Sequence, residues 1–139
     1  LHDIGRGMDP RGHEERSAKL AEELLRRELA PEELVEKVVE AILKHHADPE
    51  ELKSLEEKIL WDADKLDSLG LVGLARCLLE AGFERKGIAN AVAHFLSDLK
   101  LLSDKMHFEK TRKLAEGRKN FSVKIIKNLA EEAQLDLET

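Results

Sequence analysis

The 139-residue chain, 42% hydrophobic and 37% charged, has the size and balance of one folded domain with a core of its own, which excludes the disordered and membrane-spanning classes. No apolar run approaches the roughly 20 residues a bilayer-crossing helix needs, and no signal-peptide pattern is present. A formal net charge of −6 argues against general nucleic-acid binding, yet leaves room for a small anion held by local cations or a metal.

Reading in chain order, "LHDIGRG" sets His2 beside Asp3 and leads into a glycine-containing loop, "GRGMDPRG". The stretch "GHEERSAKLAEELLRREL" predicts a first helix: Ala18, Leu20, Ala21, Leu24, Leu25 and Leu29 fall at helical spacing, with acids in the first turn. Ala30 and Pro31 break it, and Pro31 followed by Glu32 and Glu33 starts a second helix. Its inward residues are Leu34, Val35, Val38, Val39, Ala41 and Ile42, and it ends near "KHHAD". A third helix runs from Asp48-Pro49 to Gly70, and a short apolar helix over 71–81 closes at Gly82. From Glu84 to Arg118 the pattern is again helical and heavily charged. A last amphipathic helix carries Phe121, Ile125, Ile126 and Leu129. No stretch reads as a strand. The expected architecture is all-α, a single-domain helical bundle. Cys77, the one cysteine, lies in "LARCLL" and reads as a buried structural thiol.

On a wheel of 100° per residue, Leu52, Leu55, Ile59, Ala63 and Leu66 define the buried arc of the third helix. Asp67 falls inside that arc, Asp64 at its edge, and Asp62 at the far margin as a solvated charge. A carboxylate near a core costs several kcal/mol, roughly, unless it is paired or holds a metal. A salt bridge to a nearby cation is the plainer reading of Asp64 and Asp67. Among the histidines, His45 and His46 close the second helix, where an imidazolium suits the negative end of the dipole, and His13 opens the first. His94 and His107 read as surface or packing residues. Singly, each has an ordinary explanation. Together, His2, Asp3, His13, His45 and Asp64 are the imidazole and carboxylate mixture that holds Mn²⁺, Fe²⁺, Co²⁺ or Mg²⁺, and the lack of cysteine ligands disfavours structural zinc.

This pattern resembles the HD superfamily of metal-dependent phosphohydrolases. "LHDIGRG" is similar to that family's His-Asp motif. "DADKLDSLG" is similar to its distal segment, whose alanine-aspartate pair supplies the last ligand, here Asp64. "GHEERSAKLAEELL" resembles the histidine-led helix after the motif loop, and "AILKHH" the next segment, where the match selects His45 over its neighbour His46. "EEKILWDADKLDSLGLVGLAR" and "FLSDLKLLSDKMHFEKTRKLAEGRKNF" look most like the small single-domain branch that includes bacterial nucleotide pyrophosphohydrolases. The resemblance therefore implies one HD-type domain over 1–139. In the family the first histidine ligand precedes the His-Asp pair, and the chain begins at Leu1 directly on that pair, so upstream helix is expected.

The resemblance implies hydrolysis of a phosphoester or phosphoanhydride, with a metal-activated water as nucleophile. One or two divalent ions (Mn, Mg, Co or Fe) would be held by His2, Asp3 and Asp64. His13 and His45 would bind a second metal or contact phosphate. Arg6 is the candidate phosphate clamp, and Asp67 a carboxylate orienting a ligand or basic residue. Lys65 reads better as a helix-surface lysine than as a phosphate contact. A nucleotide is the expected substrate, with Trp61 and Phe83 as possible stacking platforms. Membrane and nucleic-acid partners are not expected, and the cytoplasm is the default location. Two rivals stand beside this reading: a non-catalytic nucleotide or metal sensor of the same fold, and a helical interaction module docking through 84–118 or the last helix.

Overall fold

The computed structural model describes residues 1–7, 9, 11–102 and 104–135; Met8 and Pro10 of the motif loop, Ser103 and residues 136–139 lie outside the described residues. Its helices are α1 (His13–Arg27), α2 (Glu32–Lys44), α3 (Leu55–Ser68), α4 (Leu71–Phe83), α5 (Gly87–Leu102) and α6 (Glu109–Ala133), with a short 3-10 turn at Pro49–Glu51. No strand occurs among the described residues, so the chain is all-α. No helix of those residues is long and apolar enough to cross a membrane. Internal contacts divide the chain into two compact units, Leu1–Trp61 and Asp62–Thr139.

In the first unit α1 packs against α2. Ala18 and Ala21 of α1 are buried with Ile42 of α2, and Val38, Val39 and Leu60 pack around them. The small alanines let the two helix backbones approach. Gly12, at φ 63°, supplies the left-handed turn from which α1 starts, and Glu14 and Glu15 meet the positive end of its dipole. At the other end Leu29 takes φ 56°, and the Ala30 amide donates to the Leu25 carbonyl, which closes the helix without a glycine. Leu29 was expected on the apolar face; it is 89% exposed. Leu34, also expected inward, is exposed, whereas Val35 is buried.

The third helix differs most from expectation. It does not run unbroken from Pro49: the 3-10 turn, capped by Asp48, gives way to extended chain before α3 begins at Leu55. Of the predicted arc Leu52 and Leu66 are buried as expected, but the rest of the buried face is turned away from it. Leu55, Ile59, Ala63 and Asp67 are exposed, and Glu57, Trp61, Asp62, Leu66 and Leu69 are buried. The reason is local hydrogen bonding that a hydrophobicity wheel does not count. The Glu57 carboxylate accepts from the Lys53 amide at 2.6 Å, the Ser54 amide at 3.2 Å and Lys44 Nζ at 3.1 Å, while Ser54 Oγ accepts from the Glu57 amide. Such a reciprocal cap satisfies helix-start donors that would otherwise be orphaned.

In the second unit α4 packs on α5 and α6. A Cβ at Gly73 would stand 2.0 Å from the Ser68 carbonyl oxygen, so only glycine allows α4 to fold back so closely on the last turn of α3. Gly82, expected to close α4, lies inside it; the helix ends at Phe83, and Arg85 beyond it takes φ 58°, with the Lys86 amide on the Ala81 carbonyl. The predicted continuous helix over 84–118 is two helices, α5 and α6. The break is stabilised by Asp62, read from sequence as a solvated charge but 1% exposed. Its carboxylate accepts from the backbone amides of His107 and Phe108, from His107 Nδ1 at 2.7 Å and from Thr111 Oγ1. Phe108 precedes α6 and has no capping side chain, so Asp62 supplies the cap. Arg118 donates to the Leu66 carbonyl and Ser122 Oγ to that of Leu69, which fastens α6 to the end of α3. Phe121, predicted inward on the last helix, is 54% exposed; Ile126 is buried.

Candidate metal centre

The site grows from the turn that carries the His-Asp pair. The Ile4 amide donates to the Leu1 carbonyl and the Arg6 amide to that of Asp3, so the motif is a tight turn in this chain. It is anchored on α1 at Gly5, whose amide donates to the fully buried Ser17 Oγ at 3.0 Å. A Cβ on Gly5 would meet Arg16 Cβ at 2.8 Å and the Ser17 amide nitrogen at 3.0 Å. Arg16 then donates to the carbonyls of Gly5, Asp9 and Arg11, which gathers the motif loop over the start of α1. Sequence reasoning assigned Arg16 and Ser17 no part in this; polar residues at positions four and five of an amphipathic helix give no such signal.

Around that turn the imidazoles converge. Asp3 Oδ1 lies 3.2 Å from His13 Nε2 and 3.6 Å from His45 Nε2. Asp3 Oδ2 lies 3.5 Å from His2 Nε2 and 3.8 Å from Arg6 Nη1. The ring of His45 stands 5.2 Å from that of His2 and 5.4 Å from that of His13, edge to face in both cases. His13 is 4% and His45 1% exposed. His13, His45 and His46 each offer a ligand atom within 4.8 Å of the others. His46 was passed over for His45 in the sequence. The resemblance to the family segment chose His45, but the chain leaves the helix at His45 and both rings reach the cluster.

Hydrogen bonding orients the rings. His45 Nδ1–H donates to the Ile42 carbonyl at 2.5 Å, which leaves the Nε2 lone pair facing Asp3 Oδ1. Among the described residues neither that nitrogen nor Asp3 Oδ1 has a hydrogen-bond partner, and both are buried. Two acceptors facing one another with no hydrogen between them suit a cation, and three imidazoles with a carboxylate are a donor set that fits a divalent transition metal. Glu14 lies at 3.4 Å from His13 Nδ1 and 3.2 Å from His46 Nδ1. The hydrogen bond to its own backbone amide, with the charges of His13, His46 and His45, holds its carboxyl below the usual carboxylate range against the opposing effect of burial.

The remaining candidates have other surroundings. Arg6 is half exposed, and its Nη1 lies 3.8 Å from Asp3 Oδ2. Asp64, in the second unit, meets Lys65 Nζ at 2.7 Å, and both side chains are largely covered, so Lys65 is not the surface lysine expected. Asp67 is paired with Arg76 at 3.3 Å, with both side chains well exposed; this departs from its expected place in a buried arc. Trp61 is 2% exposed and its indole donates to the Ala47 carbonyl, so it offers no stacking face, whereas Phe83 is 92% exposed. His94 pairs with Asp98 at the surface and His107 with Asp62. Cys77 is half buried, and burial pushes its thiol up.

Residues 1–69 match the HD domain family. YpgQ of Bacillus subtilis (strain 168) is 38% identical over 91 residues, covering 62% of this chain and 44% of YpgQ, so the chain spans less than half of that relative. A crystal structure of B. subtilis YpgQ matches with a TM-score of 0.72 at 31% identity, over 83% of this chain and 63% of that one. A crystal structure of YpgQ in complex with ADP matches with a TM-score of 0.55 at 27% identity, over 86% and 84%.

Proposed function

We propose, from the match of residues 1–69 to the HD domain family, that the chain hydrolyses a phosphoester or phosphoanhydride bond in a nucleotide. The observation that carries this reading is the facing pair Asp3 Oδ1 and His45 Nε2, buried, 3.6 Å apart and, among the described residues, without a hydrogen-bond partner. His2, Asp3, His13 and His45 are the proposed ligand residues of the first unit, His46 joins them from the geometry, and the family resemblance carries Asp64 as a further ligand. The nucleotide preference draws on the relative whose structure contains ADP.

A divalent cation bound there would lower the pKa of a water and draw negative charge from a phosphoryl oxygen. The chain's own residues supply position and charge. The Ile42 carbonyl orients the ring of His45, and the Glu14 carboxylate lies 3.4 and 3.2 Å from Nδ1 of His13 and His46. Arg6, half exposed beside Asp3, is set to pair with a phosphate oxygen and neutralise the charge that grows as the bond to phosphorus breaks. Burial of His13 and His45 keeps bulk water from one side of the cluster.

The test is to incubate full-length protein with Mn²⁺ and a panel of nucleoside mono-, di- and triphosphates, assaying phosphate and pyrophosphate separately, beside Asp3→Ala and Asp64→Ala. Release that falls to background in both variants is the expected result, and the product identifies the bond cleaved. Metal-loaded protein that binds nucleotides without releasing either product would replace the hydrolase by a sensor.

A further inference from the structure

Arg16, in the first turn of α1, reaches back over the start of its own helix to the chain that carries the His-Asp pair. Its Nε donates to the Gly5 carbonyl at 3.4 Å, and its Nη2 donates to the carbonyls of Asp9 and, at 2.8 Å, Arg11. The next residue holds Gly5 from the other side, the Gly5 amide donating to the buried Ser17 Oγ at 3.0 Å. We propose that Arg16 is a positioning residue for phosphate binding: its guanidinium fixes the motif turn so that the Arg6 side chain stands where the phosphate oxygens of the substrate arrive.

Gly5 immediately precedes Arg6, and α1 grips it closely. Its N–H goes to Ser17 and its C=O to Arg16. A Cβ in its place would meet Arg16 Cβ at 2.8 Å, the Ser17 amide nitrogen at 3.0 Å and the His13 carbonyl oxygen at 3.1 Å. The Arg6 amide then closes the turn on the Asp3 carbonyl at 3.0 Å. The main chain at Arg6 is therefore set by α1, and its half-exposed side chain is the part that adjusts to a ligand. A long cationic side chain loses rotamer freedom when it grips an anion, and a fixed backbone beneath it confines that loss to the side chain itself. In a chain of net charge −6 the overall field does not draw a phosphate, so the placement of each local cation decides affinity. Arginine suits the clamping task in a way lysine does not. The guanidinium is a planar fork whose Nε and Nη2 hydrogens point in fixed directions and meet carbonyls from positions 5, 9 and 11 together, whereas an ammonium offers its donors from one atom. Because those donors are directed at main-chain carbonyls, Arg16 acts on the substrate through Arg6.

The inference rests on Arg6 being the phosphate contact of the proposed hydrolase, and its test separates the two. Backbone hydrogen exchange in metal-free full-length protein needs no ligand. Arg16→Lys should speed exchange of the Gly5 and Arg6 amides by about tenfold, while amides in the middle of α1 and α2 keep wild-type rates as a control on folding. Affinity for α,β-methylene-ADP, which resists cleavage between its phosphates, is measured calorimetrically at saturating Mn²⁺. It should fall about 10- to 100-fold in Arg6→Ala, the range for a lost charged hydrogen bond, and about tenfold in Arg16→Lys. In the Arg6→Ala background Arg16→Lys should have no further effect on that affinity. Wild-type exchange rates in Arg16→Lys overturn the inference. So does faster exchange with nucleotide affinity within twofold of wild type, or losses that add in the double variant; either result makes Arg16 an anchor of the loop and nothing more. Wild-type protein that binds the analogue but releases neither phosphate nor pyrophosphate from any nucleotide removes the hydrolase reading and leaves the role of Arg16 standing. Wild-type protein that does not bind the analogue overturns both.

Discussion

Asp62 gathers donors from a single segment, the amides of His107 and Phe108 and the side chains of His107 and Thr111, and it is buried while doing so. Removing it takes a fully buried acceptor away from several partly buried donors at once. Asp62→Ala should therefore destabilise the protein by about 3 kcal/mol, measured by urea denaturation, with Asp62→Asn costing less because one oxygen still accepts. None of this was legible locally, since the partners lie some 45 residues along the chain. Asp3 is the contrary case. Its adjacency to His2 is visible in seven letters, and the resemblance those letters carry selected it together with His13 and His45. His46 and Glu14 lay beside those residues, but their reach depends on where α2 ends and on how α1 turns its first residues.

At the level of helices, the ends decide most of the departures from expectation. Ser54 and Glu57 form a capping box that the spacing S-x-x-E announces, yet the apolar pattern of Leu55 and Ile59 points to the opposite face. The hydrogen bonds win because a buried carboxylate with three donors is satisfied, whereas leaving α3 uncapped would orphan backbone amides. Burial by itself raises the Glu57 pKa, but the Lys53 and Ser54 amides and Lys44 together hold it below its ordinary value. A carboxyl depressed in the folded state contributes stability that is present above its unfolded pKa and lost as pH falls through the folded one. Stability should accordingly decline below about pH 4.5, and Glu57→Gln should flatten that part of a denaturation-versus-pH profile while lowering stability at neutral pH. Among the described residues, three helices are followed within two residues by a non-glycine residue at positive φ, Leu29, Arg85 and Gln134. Glycine relieves the strain there at some cost in unfolded-chain entropy. Since the Leu29 side chain is exposed, Leu29→Gly should raise stability by about 0.5–1 kcal/mol in the same urea assay.

For the molecule as a whole, the proposed cation site predicts a linkage between metal and folding. Mn²⁺ at about 100 times its dissociation constant should stabilise the protein by about 2.7 kcal/mol; thermal denaturation with and without chelator measures it, and Asp3→Ala should abolish the difference. The all-α class was readable from the sequence, because apolar residues at spacings of three and four over most of the chain leave no alternative period, and because helix starts such as Pro31-Glu32-Glu33 are local signals. The HD resemblance was readable too, since its motifs are short strings whose order survives without coordinates. What only the tertiary structure decided is which carboxylates are buried. Glu57 and Asp62 go in and Asp67 stays out, against the apolar pattern of α3, because a carboxylate's place depends on the donors that other segments bring to it, and a periodicity reads one segment at a time.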